Sequence, residues 1–230
     1  NPRSSRTVPF VAKSSGLPLA RIAANITIGI PLSKQTIPIR TSGNVCVKAP
    51  VFPFIKLRGL DPAPGPEMKS TGEVFGSHKD ADVAYLKARL ATEVPVAEGG
   101  GVYLTVRDED KDNLVPIAAQ LRDLGFTLYA TPGTADVLRE NNVPVEIVYR
   151  IMERMHPDAL DLMRQGKISF IVNVPTISGG AVRDGNMMRR LAVELNIPFV
   201  TTIRGAKMEV AAIAAMMKGE MEPVRLQVNY

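Results

Sequence analysis

The segments Val102-Tyr103-Leu104-Thr105-Val106 and Thr127-Leu128-Tyr129-Ala130 are two apolar runs separated by a helical pattern over 111–124, and this order sets the class of fold. Short apolar runs bounded by Gly or polar residues predict buried strands. Between them, apolar side chains recur every three or four residues from Leu114 to Leu121, as on the buried face of a helix. Strand, helix and strand in this order predict a parallel β–α–β unit with a right-handed crossover.

The same alternation continues towards the end of the chain. Further helices are predicted over 134–142, 156–165, 181–195 and 206–218, and further strands over 145–148, 169–174, 199–202 and 224–228. This alternation predicts an α/β fold, a small doubly wound parallel sheet with helices on both faces. A Gly-rich link at 99–101 precedes it, and we therefore predict two domains, 1–97 and 98–230.

The first predicted domain has a less regular pattern. It contains a predicted helix at 18–29, a strand at 45–47, a loop over 50–66 rich in Pro and Gly, and a helix at 80–90. The Pro and Gly content excludes a central strand or helix from the loop. A long ordered loop of this kind is typical of a segment that lines a large active site.

Composition narrows the classes of function. The net charge is +5, but the basic residues are scattered and Trp is absent, so no nucleic-acid partner is expected. The single Cys46 excludes an internal disulfide and favours a cytoplasmic location. No apolar run approaches the roughly 20 residues that cross a bilayer. We therefore expect no membrane partner.

Polar residues follow the predicted strands, at the edge where α/β sheets bind ligands. In Thr131-Pro132-Gly133-Thr134 a strand ends, Gly133 permits a tight turn, and Thr134 is predicted to cap a helix whose N–H groups would bind a phosphate. Taken singly, each such residue is more often a cap, a solvated side chain or a link between strand ends. Five strand ends carry such groups, and their convergence at one edge favours an anion or nucleotide pocket; they lie at 105–111, 131–134, 150, 173–176 and 201–202.

A second polar set opens the chain. The amide of Asn1 and the guanidinium groups of Arg3 and Arg6 are suited to a metal-bound nucleotide and the anion that it phosphorylates. Such a site also needs carboxylates and a phosphate-binding loop ahead of it, so we expect the chain to be the end of a larger enzyme. By contrast, His78 and His156 follow no spacing typical of metal ligands.

Two motifs closely resemble the end of the second ATP-grasp unit of the carbamoyl phosphate synthase large subunit: Asn1-Pro2-Arg3 with Arg6-Thr7-Val8-Pro9-Phe10-Val11, and Gly65-Pro66-Glu67-Met68-Lys69-Ser70-Thr71-Gly72-Glu73-Val74. In that family a methylglyoxal-synthase-like allosteric domain follows. Four segments of this chain resemble motifs of that domain: Leu104-Thr105-Val106-Arg107, Asp110-Lys111, 130–134 and Val224-Arg225-Leu226-Gln227. The resemblance covers essentially the whole chain. It implies an irregular ATP-grasp end over 1–97 and a methylglyoxal-synthase-like domain over 98–230.

The resemblance implies part of a ligase that makes carbamoyl phosphate from bicarbonate, glutamine-derived ammonia and two ATP, for pyrimidine and arginine synthesis. Asn1 would ligate Mg²⁺ or Mn²⁺ bound to ATP, and Arg3 and Arg6 would neutralise phosphate oxygens as carbamate is phosphorylated. The implied partners are a glutamine amidotransferase small subunit and the remainder of the large subunit, with a homo-oligomer left open. The isolated chain is expected to be inactive and to require no cofactor.

The resemblance also implies an allosteric effector site. Carried over position by position, its residues are Thr105, Lys111, Thr131, Thr134, Arg150 and Asn173. Members that bind uridylate or inosinate commonly carry a lysine where Arg150 stands, so the cation is kept and a nucleotide effector is favoured. Relatives activated by N-acetylglutamate are similar over 48–50 but carry an aromatic residue near Arg150.

Two departures from the family pattern bear on the effector. Ornithine-controlled members have an acidic residue near Ala49 and a tyrosine near Phe199, and neither alanine nor phenylalanine holds an ammonium group. The loop 173–180 also differs from the Thr-rich version of uridylate-binding relatives. We therefore expect no ornithine control.

Two alternatives remain at this stage. One is a free-standing nucleotide-sensing module without catalysis, and the other is methylglyoxal synthase, a lyase that acts on dihydroxyacetone phosphate. The lyase needs a carboxylate base after its third strand, where His156 stands here, and a second Asp, where Pro175 stands. Asp158 would replace the base only if the loop shifted, so the lyase is disfavoured.

Overall fold

The structure is a computed structural model that describes residues 5–37, 43–53, 62, 68–175, 180–219 and 221–223, with the side chains of 180 and 181 excepted. Several predictions lie outside these ranges. They are the strand at 224–228, most of the loop at 50–66, and the segment 176–179 of the loop after Asn173.

The described residues of the N-terminal part form three α-helices, a short 3-10 helix (Leu32–Lys34) and a β-hairpin. In chain order the α-helices and strands are α1 (Thr7–Ser15), α2 (Leu19–Thr27), β1 (Val45–Val51), β2 (Gly72–His78) and α3 (Ala81–Leu90). β1 pairs antiparallel with β2, with Pro50 opposite Glu73. A proline is tolerated here because a two-stranded sheet has only edge strands. The loop predicted from residue 50 therefore begins after Val51 instead, and α1 and β2 were not predicted.

The second part alternates strands and helices, as the sequence predicts. The elements are β3 (Gly101–Thr105), α4 (Lys111–Asp123), β4 (Thr127–Ala130), α5 (Pro132–Glu140), β5 (Glu146–Ile147), α6 (Ala159–Arg164), β6 (Ile168–Asn173), α7 (Gly180–Glu194), β7 (Phe199–Val200) and α8 (Ile203–Met217). The five strands form a parallel sheet in the order β5-β4-β3-β6-β7. The α/β fold class with a parallel sheet is thereby confirmed.

Three predicted boundaries shift because of helix caps. α6 begins at Ala159 rather than at residue 156, since the Asp158 carboxylate accepts the Asp161 N–H at 2.9 Å. α8 begins at Ile203 rather than at residue 206, because Thr202 Oγ1 accepts the Gly205 N–H at 3.0 Å. α5 begins at Pro132, a residue well suited to the first helical position.

Helices cover both faces of the parallel sheet. Along β3, Val102 and Leu104 contribute to one buried cluster, whereas Tyr103 contributes to the other. This alternation follows from the two-residue period of a strand. The larger cluster also takes in Val83 and Leu86 of α3, so α3 belongs to the core that stabilises the sheet. Among the described residues, no helix is both long and apolar enough to span a bilayer.

Candidate functional site

One cavity of about 290 Å³ opens at the carboxyl edge of the parallel sheet. Its lining includes all six residues of the predicted effector site, namely Thr105, Lys111, Thr131, Thr134, Arg150 and Asn173. They come from the ends of β3, β4 and β6, from the starts of α4 and α5, and from the turn after β5. The topology therefore brings together residues that are up to 68 positions apart in the sequence.

The start of α5 forms one wall of this cavity. Thr131 precedes the helix as its N-cap residue and Thr134 lies in its first turn, so the prediction that Thr134 caps the helix is wrong. The Thr131 carbonyl accepts the N–H groups of Thr134 and Ala135 at 2.9 and 2.8 Å. Thr131 and Thr134 are buried, and the Thr131 hydroxyl donates to Thr134 Oγ1 at 3.3 Å. Two hydroxyls therefore stand beside the positive end of a helix dipole.

Lys111 brings a positive charge to the start of α5. A Cβ built on Gly133 would lie 3.1 Å from Lys111 Nζ, so the missing side chain at Gly133 leaves room for the ammonium group. Lys111 Nζ also lies 2.6 Å from Asp108 Oδ1. The hydrogen bond from Lys111 holds the pKa of the Asp108 carboxyl below its usual range. In this state the ammonium group is engaged by a protein carboxylate.

Arg150 supplies a second cation from the turn that follows β5. It is exposed, and its backbone N–H donates to Glu153 Oε2 at 3.1 Å. This contact fixes the backbone of the turn and does not involve the guanidinium group. Arg150 is thus the more accessible of the two predicted cations.

Asn173 is held by a residue that the sequence analysis did not identify. Arg189, which is 2% exposed, donates from Nη1 to Asn173 Oδ1 at 2.5 Å and from Nη2 to Asn186 Oδ1. A Cβ built on Gly185 would lie 2.7 Å from Arg189 Nη1, so Gly185 permits this close approach. The neighbouring Arg190 is exposed, and nothing in the local sequence distinguishes the two arginines.

Asp184 on α7 is a second lining residue that the sequence analysis did not identify. Burial raises the pKa of its carboxyl, and a hydrogen bond from the Met152 backbone and the charge of Arg150 act in the opposite direction. Among the described residues, its Oδ1 atom is buried and has no hydrogen-bond partner. The described lining therefore contains two carboxylates, of Asp108 and Asp184, together with the cations Arg107, Lys111 and Arg150 and with hydroxyl and amide groups.

Comparisons with known proteins agree with this fold. Residues 113–201 match the family model of the MGS-like domain. The carbamoyl phosphate synthase large chain, C-terminal section, of Methanocaldococcus jannaschii is 47% identical over 233 residues, a match that covers 96% of this chain and 37% of the relative. The protein of the same name from Methanopyrus kandleri is 45% identical and covers 93% of this chain and 40% of the relative. The carbamoyl phosphate synthase large chain of Methanoculleus marisnigri is 42% identical and covers 96% and 21%.

The chain belongs to the carbamoyl phosphate synthase large-chain family. The family resemblance inferred from the sequence motifs is thereby confirmed. The chain spans from about a fifth to two fifths of the length of these curated relatives.

The predicted ATP-site residues of this family member lie in the N-terminal part. Asn1 and Arg3 are outside the described residues. Arg6 Nη2 donates to the Ser70 carbonyl at 3.2 Å and lies 3.4 Å from Ser70 Oγ. Lys48 Nζ bridges Thr7 Oγ1 at 3.1 Å and Glu73 Oε1 at 3.3 Å. The described portions of the two family motifs are therefore in direct contact.

A second cavity of about 400 Å³ is lined by residues of β1, α3, the end of α7, β7 and α8. Ala49 and Phe199, the two positions that depart from ornithine-controlled members of the family, both line it. Pro62 of the predicted loop also lines this cavity, as do Thr201 and Thr202. The charged groups in this lining include Arg89 and Glu209, which are already paired with each other.

The described lining of the first cavity does not support the methylglyoxal synthase alternative. Pro175 is part of that lining, but neither His156 nor Asp158 is. His156 is exposed, and its Nδ1 lies 2.5 Å from Asp161 Oδ2. His156, Asp158 and Asp161 cluster within 4.8 Å, although the sequence spacing did not indicate a group. Both carboxylates in this cluster already accept backbone N–H groups at the start of α6.

Proposed function

We propose that this chain is the effector-binding end of a carbamoyl phosphate synthase large subunit, with residues 1–97 completing the second ATP-grasp unit and residues 98–230 forming the allosteric domain. The observation that carries the proposal is the single cavity lined by all six predicted effector residues. Membership of the large-chain family supports it. The remainder of the large subunit, a glutamine amidotransferase small subunit and a cytoplasmic location belong to the same proposal.

The cavity is suited to a phosphate-bearing effector such as uridylate or inosinate. The ammonium group of Lys111 stands over the start of α5, where helix N–H groups and the helix dipole favour an anion. The hydroxyls of Thr131 and Thr134 and the accessible guanidinium group of Arg150 add donors in the same cavity. Charge-assisted hydrogen bonds of this kind are roughly twice as strong as hydrogen bonds between neutral groups.

For the ligase activity, we propose that Arg6 neutralises phosphate oxygens during phosphorylation of carbamate. Its contact with Ser70 fixes the guanidinium group relative to the second family motif, as positioning of a charge in phosphoryl transfer requires. Asn1 and Arg3 would join it, and Asn1 would hold Mg²⁺ or Mn²⁺. When bound with ATP, the metal would add charge neutralisation at the phosphates.

Calorimetric titration of the chain with uridylate, inosinate, N-acetylglutamate and ornithine tests the effector site. We expect binding of a nucleotide, and we expect Arg150→Ala to weaken it by about 1 to 3 kcal/mol. Lys167→Ala is a matched control, because Lys167 is exposed and precedes β6 at the opposite edge of the sheet. Binding of N-acetylglutamate alone, or unchanged nucleotide affinity in Arg150→Ala, would contradict the assignment.

Carbamoyl phosphate formation by the intact large subunit tests the catalytic part of the proposal. Arg6→Ala should lower kcat strongly, whereas Lys13→Ala, which removes an exposed charge from α1, should not. Equal rates in both variants would leave the chain as a nucleotide-sensing module without a catalytic role.

A further inference from the structure

The start of α1 is attached to the β1–β2 hairpin through Lys48. The Lys48 ammonium group donates to Thr7 Oγ1 at 3.1 Å and to Glu73 Oε1 at 3.3 Å. Thr7 is the first residue of α1 and directly follows Arg6. The backbone of Arg6 is therefore held, one residue away, by a cation of the hairpin.

The register of the hairpin places these contacts on one face. Glu73 stands two residues before Phe75, the cross-strand partner of Lys48, so Lys48 and Glu73 are diagonal neighbours on the same face. On that face Phe75 meets Phe10 of α1 edge to face, with the ring centroids 5.5 Å apart. An apolar contact and a polar contact therefore hold α1 against the same surface.

Glu73 is arranged to keep Lys48 in place. Its Oε2 atom is buried and has no hydrogen-bond partner in the described part of the chain. Loss of Lys48 from Oε1 would leave the carboxylate still less compensated, which costs free energy. The Glu73 side chain is 20% exposed and that of Lys48 is 34% exposed, so solvent screens this pair less than a fully exposed surface pair. We expect the contact to persist in solution.

The guanidinium group of Arg6 is attached to the same strand segment. It donates from Nη2 to the Ser70 carbonyl at 3.2 Å, and Ser70 lies three residues before Glu73 in the chain. Arg6 is thus held at both ends, since Ser70 holds the guanidinium group and Lys48 holds the start of α1. With both ends held, few rotamers of this long side chain remain accessible.

We propose that Lys48, held by Glu73, positions Arg6 for phosphoryl transfer by fixing the start of α1. The inference rests on the proposed function of the N-terminal part, and it adds a residue that acts through Arg6. In the step concerned, an oxygen of carbamate attacks the γ-phosphorus of ATP, the bond to the β–γ bridging oxygen breaks, and ADP leaves with that electron pair. The position of a cation matters here because the protein contributes mainly by placing charge against the moving oxygens.

The reverse of this step, in which ADP takes the phosphoryl group of carbamoyl phosphate and carbamate leaves, tests the inference in the intact large subunit. Lys48→Met should lower kcat for ATP formation at least about tenfold and change the KM for ADP much less, because a transition-state interaction is weakened. Lys48→Arg keeps a cation at this position and should retain most of the rate. The matched control is Lys79→Met, because Lys79 is exposed and follows the end of β2 remote from Ser70. It should leave kcat unchanged.

A double-variant cycle separates positioning from a direct or merely structural role. On the Arg6→Ala background, Lys48→Met should cause little further loss of kcat, because Lys48 acts through Arg6. The full loss on both backgrounds, or an unchanged kcat in Lys48→Met alone, would overturn the inference and leave the proposed function standing. A normal rate in Arg6→Ala would overturn both.

Thr7→Val gives a second measurement in which the Lys48–Glu73 pair stays intact. It removes only the acceptor at the start of α1, on an exposed residue, so the melting temperature should hardly change. The value of kcat should nevertheless fall, in the same direction as in Lys48→Met and by a smaller factor. An unchanged kcat in Thr7→Val would contradict the proposed connection from Lys48 to Arg6, even if Lys48→Met failed to fold.

Discussion

Arg89 and Glu209 form a bidentate ion pair that joins α3 to α8. Arg89 Nε lies 2.7 Å from Glu209 Oε2, and Nη2 lies 2.8 Å from Oε1. The Tyr85 hydroxyl donates to the same carboxylate at 2.9 Å, and burial together with the Glu209 charge raises the pKa of Tyr85. Because α3 also packs against β1 and β2, this pair connects the hairpin to the parallel sheet.

Replacing Arg89 by Met should destabilise the fold markedly. Glu209 is 1% exposed, so its carboxylate would stay buried with the Tyr85 hydroxyl as its main remaining partner. Loss of one member of a buried pair costs about 3 to 5 kcal/mol. Urea unfolding measures the change. Arg122→Met is the control, because the Arg122–Asp123 pair lies on the surface and should contribute less than about 1 kcal/mol. Similar losses in the two variants would contradict a special role for Arg89.

Gly76→Ala should loosen the contact between the hairpin and α3. A Cβ at this position would lie 2.1 Å from the Ala84 carbonyl oxygen and 2.6 Å from the Ala88 nitrogen, and these are backbone atoms that cannot move away cheaply. We expect the free energy of unfolding to fall by about 1 to 3 kcal/mol, as measured by thermal or urea unfolding. A Cβ at Gly99 would meet no atom within 4 Å, so Gly99→Ala should have little effect. Equal stability of both variants would show that α3 can shift on the hairpin.

The sequence predicted the central sheet better than the hairpin, for physical reasons. β4 matches its prediction from Thr127 to Ala130, because a short run of strand-forming residues between Gly125 and Pro132 is a clear strand signal. β2 was not predicted because Gly72 and Gly76 weaken a strand pattern. In the structure, the absence of a side chain at Gly76 permits the close packing of α3. Its pairing with β1 is a long-range contact that local propensity does not encode.

The candidate site shows the same division. Strand-end residues such as Thr131 and Asn173 are predictable, since the carboxyl ends of parallel strands share one edge. Asp184 and Arg189 are not, because α7 carries several charged residues and the rotation of the helix decides which of them face inward. Local periodicity gives the helix but does not fix that rotation.

Asp108→Asn should strengthen binding of inorganic phosphate a few-fold. Asp108 competes with the ligand for Lys111, whose Nζ it holds at 2.6 Å. Removing the carboxylate releases the ammonium group and also removes a repulsive charge from the rim of the cavity. Calorimetry measures the change, and Glu109→Gln is the control, since Glu109 is exposed and pairs with Arg107 instead. A weaker affinity in Asp108→Asn would mean that Asp108 orients Lys111 for the ligand.

Asp184→Asn should raise the melting temperature at pH 7 and not at pH 3. Burial is the main cause that raises the pKa of Asp184 above its ordinary value of 3.8, so folding disfavours the charged form. The unmodified protein is therefore penalised as the pH rises through the folded-state pKa, and the penalty is absent below the unfolded-state value. Melting curves of both proteins across this range measure it. An equal difference at both pH values would assign the effect to packing instead of to charge.

The pKa of His156 should lie above its ordinary value of 6.5. The hydrogen bond from its Nδ1 to Asp161 Oδ2 is the main cause that raises the pKa of His156 above 6.5, and the same bond lowers the pKa of Asp161. The raised pKa means that this contact stabilises the fold at pH values below 6.5 and that its contribution is lost as the pH rises through the folded-state pKa. NMR titration of the His156 ring measures the value directly. Asp161→Asn should return it towards 6.5, because the asparagine keeps an acceptor for the Asp158 N–H but carries no charge. An unshifted His156 in the unmodified protein would show that the pair is open in solution.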